Sequence, residues 1–203
     1  MGKYYLLRIE LADITPAIWR RIVVPAAITL DRLHDVIQIV MDWEEQHLHQ
    51  FSYKKRYYLE MPETPEEENE AAVRLNQLLT RRGATPHYMY DFGDSWLHTL
   101  TLEHSNYPEQ ELLLPIFCLD GERAGPPEDC GGAAGYANLL AAVGDPQSEE
   151  HGNYCDWLGL EEGQQAVEAI AEIIAFFSAD EVNEQLALYL RWSRDRQLPL
   201  FEK

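Results

Sequence analysis

The run from His87 to Glu103, HYMYDFGDSWLHTLTLE, constrains the fold more than any other stretch of the chain. Two β-rich segments flank a tight polar centre, Asp91-Phe92-Gly93-Asp94, so the run reads as a hairpin, with Gly93 free to take positive φ in the turn. Side chains alternate between the faces of a strand. Trp96, His98, Leu100 and Leu102 therefore share one face of the second segment, and Leu97, Thr99 and Thr101 share the other.

The remaining pattern supplies partners for that hairpin. Residues 4–11 (YYLLRIEL) and 18–24 (IWRRIVV) are rich in β-branched and aromatic side chains and are separated by Thr15-Pro16, which predicts an antiparallel pair. In ITLDRLHDVIQIVMDW, Leu30, Leu33, Ile37, Val40 and Met41 recur at helical steps, with Thr29 as N-cap. A strand is expected from about His49 to Leu59, a short helix near 71–80, and a strand over 112–118 bordered by Pro115. A Gly/Pro-rich shaped loop leads to a helix near 134–143 and a polar stretch. Two C-terminal helices follow, near 163–177 and 179–194, the second with Ser178 and Glu181 in capping-box spacing. Arg191, Arg194 and Arg196 complement its dipole. Hairpins and helices mix without βαβ alternation. The expected fold is α+β, an antiparallel or mixed sheet with packed helices and a C-terminal helical pair, in a single domain over residues 1–203.

Composition narrows the function classes. The hydrophobic share is 46%, enough for a large core and too much for general disorder. A formal net charge of −19 opposes nucleic-acid binding, which needs a basic surface to replace phosphate counterions. Part of that charge lies in residues 60–70, where Glu60, Glu63, Glu66, Glu67, Glu68 and Glu70 suggest a solvated loop. No apolar run approaches the ~20 residues that span a bilayer, and the N-terminus lacks the pattern of a signal peptide. Together with three widely spaced cysteines, Cys118, Cys130 and Cys155, this suggests reduced thiols and a cytoplasmic location.

At YDFGDSWLH (Tyr90 to His98) and GERAGPPEDCGGAAGY (Gly121 to Tyr136) the chain resembles the plasmid pRiA4b ORF-3-like family. TPAIWRRIVVP, LDRLHDVIQIVMDW and HLHQF agree in the same order, so the resemblance covers about residues 3–190. It implies a small α+β protein associated with plasmids and mobile elements, and no defined reaction. Some relatives carry a transposon or resolvase label. A serine resolvase needs a nucleophilic Ser among arginines and a basic DNA-binding segment, and neither is visible here.

Several polar residues invite chemistry. His47 and His49, at i and i+2, would share one face of a strand. With Asp91, Asp94 and His98 they would form an N/O donor set for a divalent transition metal, leaving Glu128 or Asp129 as general base of a metal-dependent hydrolase. Against that, Asp91 and Asp94 serve a tight turn through local Asx bonds. Gly131 and Gly132 ahead of a helix could cradle an anion, but Glu128 and Asp129 beside them argue instead for helix capping or pairing with Arg123. Asp129 also disfavours a reactive Cys130. Asp91-Phe92-Gly93 spells the kinase magnesium motif, yet the accompanying nucleotide and catalytic loops are absent. His34 reads as a partly buried helix residue, and Trp19, Trp43, Trp96, Trp157 and Trp192 as core and rim. The leading expectation is a cofactor-free, non-enzymatic binding module for a protein or small ligand, not for nucleic acid or membrane. Its ligand-facing residues would be Asp91, Asp94, His98, Glu128 and Asp129.

Overall fold

In the computed structural model, which describes residues 3–192, side chains of Tyr4–Leu11 (β1) alternate strictly between half-buried and buried. That alternation places Tyr5, Leu7, Ile9 and Leu11 in the core. Trp19–Pro25 (β2) lies antiparallel to β1, with Tyr4 opposite Pro25 and Glu10 opposite Trp19. Leu30–Met41 (α1) follows, buried nearly all round, and ends on Asp42 in the left-handed conformation. Thr29 occupies the N-cap position but makes no side-chain cap bond. It forms a β-bridge with Arg74 instead.

The strand expected over 49–59 is two strands, His49–Tyr53 (β3) and Arg56–Leu59 (β4). Lys54 and Lys55, both at positive φ, form the turn between them. The acidic run is more ordered than its charge suggested. Glu67–Asn69 (β5) pairs parallel with β4, and Glu70 is buried. A 3-10 turn (Glu70–Ala72) and a single-turn helix, Leu75–Leu78 (α2), account for the helix expected near 71–80. His87–Tyr90 (β6) and Trp96–His104 (β7) form the expected hairpin, with Trp96, His98, Leu100 and Leu102 all buried. The next strand, Phe117–Glu122 (β8), starts later than the 112–118 reading, beyond Pro115.

The eight strands of the described residues join one sheet in the order β5-β4-β3-β6-β7-β1-β2-β8, antiparallel except for β4–β5. The helices are α1, Gly132–Val143 (α3), His151–Leu158 (α4), Gln164–Ala175 (α5) and Ala179–Trp192 (α6), with α2 a single turn. The helix α4 falls in the stretch read as merely polar. The Ser178 hydroxyl accepts the Glu181 N–H at the start of α6, as the capping spacing predicted. Arg194, Arg196 and the expected end of that helix at 194 lie outside the described residues.

An edge strand exposes unpaired backbone groups. On β8 the Asn183 side chain of α6 meets them, accepting the Cys118 N–H at 2.7 Å and donating to its carbonyl at 2.9 Å. Arg20 on β2 is buried, donates to the Val40 carbonyl at 2.7 Å and lies under the Phe177 ring. Burial pushes its pKa down to about 10. Arg32 and Asp35 of α1 meet Tyr189 of α6 through bonds of 2.8–3.2 Å. Among the described residues, no helix is long and apolar enough to cross a membrane.

Candidate functional site

The β6–β7 turn is built differently from its sequence reading. Asp91 and Ser95, not Gly93, take positive φ (55° and 56°). A non-glycine residue there is costly unless its side chain bonds locally. Asp91 does so, its Oδ1 accepting the Gly93 N–H at 2.8 Å. Asp94 reaches further, and its Oδ2 accepts the Gly131 N–H at 3.0 Å. That N–H belongs to the residue before α3, the place where an external anion could have been cradled. The chain fills it with its own carboxylate. Gly132, at φ 68°, has no room for a Cβ, which would lie 2.2 Å from the Asp94 carbonyl oxygen. Turn and loop therefore touch backbone to backbone.

A third segment, following α1, is fastened to both. The Trp43 indole donates to the Pro126 carbonyl at 2.8 Å, and its ring stacks on Tyr90 at 4.9 Å. Glu128 neither caps α3 nor pairs with Arg123. One of its oxygens accepts the Glu44 N–H at 2.8 Å and the other accepts the Tyr90 hydroxyl. The Tyr90 oxygen in turn accepts the Gln46 N–H at 3.0 Å. Burial, then the Glu128 carboxylate, raises the Tyr90 pKa and keeps the phenol a donor. The Asp91 N–H bonds to the Leu48 carbonyl at 2.9 Å.

This fastening gathers part of the expected donor set. His47 Nδ1 lies 3.8 Å from Asp91 Oδ2, and its Nε2 lies 3.1 Å from Asp129 Oδ1. One donor atom from each of the three lies within 4.8 Å of the other two. His49, Asp94 and His98 are not in this group. His47 sits in a bend before β3, which begins at His49, so the rule that i and i+2 share a face does not reach it. His49 instead stacks on His34 with ring centroids 3.5 Å apart and planes 5° from parallel. Its Nε2 meets both Glu70 oxygens, at 2.9 and 3.0 Å. His34, fully buried, approaches the Tyr88 hydroxyl at 2.7 Å. Burial, with His49 adding to it, pushes its pKa down to about 3. His98 lies wholly in the core, with Nδ1 3.0 Å from the Trp96 carbonyl oxygen and its ring edge-on to Trp43. Burial holds its pKa down to about 4.

The three cysteines are free and buried. Burial first, then Asp94 and Asp129, pushes the Cys130 thiol up to about 12, the opposite of what a nucleophile needs. Trp43 and Trp96 are core residues, whereas Trp157 is half exposed; the Trp192 side chain lies outside the described ones. Sequence reasoning passed over Tyr90 and Glu70. Tyr90 carried a signal, since it opens the YDFGDSWLH motif. Glu70 carried none, being the last of a run of glutamates.

A family model described as plasmid pRiA4b ORF-3-like protein matches residues 3–181. An uncharacterized protein, y4hQ, of Sinorhizobium fredii is 32% identical over 174 residues, covering 82% of this chain and 87% of its own length. The crystal structure of a protein of unknown function, MM3350 from Methanosarcina mazei Go1, superposes with a TM-score of 0.75 at 31% identity. That match covers 89% of this chain and 98% of the other. With its sheet, its helices and the motifs around the β6–β7 turn, the chain belongs to the plasmid pRiA4b ORF-3-like family.

Proposed function

We propose that the protein is a non-enzymatic binding module acting in the mobile-element setting that its family name suggests. Its recognition surface is the rim formed by Gln46–Leu48, Asp91–Ser95 and Glu128–Gly131. The carrying observation is a division of labour among these side chains. Asp94, Glu128 and Tyr90 spend their polar atoms on holding the three segments together. Leu48 (69% exposed), Phe92 (48%) and the Asp129 side chain (65%) face solvent beside them. Rigid loops that display apolar side chains next to a carboxylate suit recognition of a partner with apolar and basic groups. The acidic chain supports a protein or small-ligand partner over nucleic acid.

A second reading, a metal-dependent hydrolase, is favoured by the His47–Asp91–Asp129 grouping. It needs a general base. Both oxygens of Glu128 are occupied, which leaves Asp129 to act as ligand and base at once. This supports binding over catalysis.

The test is co-purification of the full chain from its host, beside a Leu48→Ser/Phe92→Ser variant of unchanged melting temperature. A partner recovered with the parent and lost with the variant is the expected result. Undiminished recovery with the variant removes the proposal, and metal-dependent turnover of a phosphoester abolished by His47→Gln replaces it with the hydrolase.

A further inference from the structure

Two groups of side chains bring donor atoms of metal-ligating type within 4.8 Å of one another, His34–Asp35–Glu45 and His47–Asp91–Asp129. In the first, Asp35 already accepts Arg32 and Tyr189 and is committed to the α1–α6 contact. The second is otherwise placed. From its geometry we infer that His47, Asp91 and Asp129 form a divalent transition-metal site at the junction of the β6–β7 turn, the segment before β3 and the loop before α3.

The contacts within the group have the character of ligands facing a shared ion. His47 Nε2 is closed off from solvent and lies 3.1 Å from Asp129 Oδ1, yet the two do not meet in a hydrogen bond. Buried ring nitrogens ordinarily find a partner. The Nε2 atoms of His34 and His98 also lack one, and what sets His47 apart is the pair of carboxylates, Asp91 and Asp129, beside its ring. Bonds of about 2.1 Å separate the donors of a common metal by about 3 to 4 Å. One donor atom from each residue already lies within 4.8 Å of the other two. Because Asp91 approaches Nδ1 while Asp129 approaches Nε2, the His47 ring and the exposed Asp129 must both shift to present one nitrogen and two oxygens to the ion. Among the described residues, no lysine or arginine lies within 4.0 Å of either carboxylate. Two carboxylates and a neutral imidazole carry a charge of −2, which a divalent cation neutralises. One nitrogen and two oxygens, completed by water, suit Zn, Mn, Co or Fe(II) better than calcium or copper(I). Asp91 reaches the site from a backbone fixed at φ 55°, with its other oxygen held by Gly93, so this donor is preorganised.

The site shares Asp91 and Asp129 with the recognition surface proposed above, but its test needs no partner. The full chain is stripped with chelator and titrated with Mn²⁺ and with Zn²⁺ by calorimetry, and Mn²⁺ broadening of histidine ring resonances is followed by NMR. One ion per chain is expected, with His47 broadened ahead of the exposed His87 and His104. His47→Gln and Asp129→Asn are each expected to weaken binding at least tenfold with unchanged circular dichroism and melting temperature. Asp145→Asn, an exposed carboxylate outside the group, is expected to leave affinity unchanged. Absence of stoichiometric binding of either metal overturns the site, and so does binding that survives both variants. Loss of metal binding with partner recovery intact separates this failure from that of the recognition surface.

Discussion

His47 and His49 are two residues apart and belong to different regions of the molecule. His49 begins β3 and turns inward, stacked on His34 and bonded to the buried Glu70. His47 sits in the bend before the strand and faces two carboxylates that come from distant loops. The inner cluster is packed and bonded within the fold through His34 Nδ1 with Tyr88 and His49 Nε2 with Glu70, although His34 Nε2 is left without a hydrogen-bond partner among the described residues. The outer one is fastened by its neighbours, Trp43, Tyr90, Asp94 and Glu128. Among the described residues it leaves His47 Nε2 and Asp91 Oδ2 without a hydrogen bond, while Asp91 Oδ1 accepts the Gly93 N–H. The same residue type is thus a stability element in one place and a candidate ligand in the other, and burial decides which.

Acid is expected to attack the inner region hardest. The His34 and His98 pKa values lie at about 3 and about 4, both driven down by burial. In the unfolded chain both titrate near ~6.5. The unfolded state therefore takes up protons that the fold refuses. Stability from these groups is full above ~6.5 and falls as pH drops towards the folded values, by about 1.4 kcal/mol per pH unit per histidine. Denaturant unfolding at pH 7 and pH 5 should differ by about 4 kcal/mol from these two groups. His34→Gln or His98→Gln should remove about half of that slope, and a slope unchanged in both would break the distinction drawn here.

Next in size, Glu70→Ala should cost about 3 kcal/mol, because it leaves the His49 ring buried without its acceptor. Equilibrium unfolding in urea measures this, and a loss below about 1 kcal/mol would mean that water replaces the carboxylate. Asp94→Ala should cost about 1 kcal/mol by releasing the Gly131 N–H. It should also raise amide exchange at Gly131, which distinguishes loss of the loop fastening from a general loss of stability. The smallest effect belongs to the outer group. His47→Gln and Asp129→Asn should change unfolding free energy by no more than about 0.5 kcal/mol, since neither anchors the core. A large loss at either would turn His47 from a ligand into a second His49.

Much of the architecture could be read from periodicity. The alternation in β1 and β7 and the helical repeat in α1 are local properties, and each set its element and its buried face correctly. His98 is instructive, because the same alternation that identified the strand had already placed it among Trp96, Leu100 and Leu102 on the apolar face. A surface donor set that includes His98 is incompatible with that alternation. Turn chemistry was legible only in part. Asp91 was recognised as an Asx-forming residue, but glycine's conformational freedom drew the left-handed position to Gly93, whereas the aspartate holds it through its own side-chain bond. The charge of residues 60–70 hid both β5 and the buried Glu70, because a run of like charges says nothing about which member faces inward.

Sequence alone determined the family, the α+β class, the main strands and helices, and the pool of imidazoles and carboxylates from which a site can be drawn. Tertiary structure decided which of them meet. Asp91 and Asp129 are 38 positions apart, and His47 is 44 positions from Asp91. Their approach depends on Gly132 lying against the Asp94 backbone and on Glu128 bridging Tyr90 and Glu44. Such contacts are set by close packing and by the geometry of side-chain to backbone bonds across the chain, and no local periodicity encodes them.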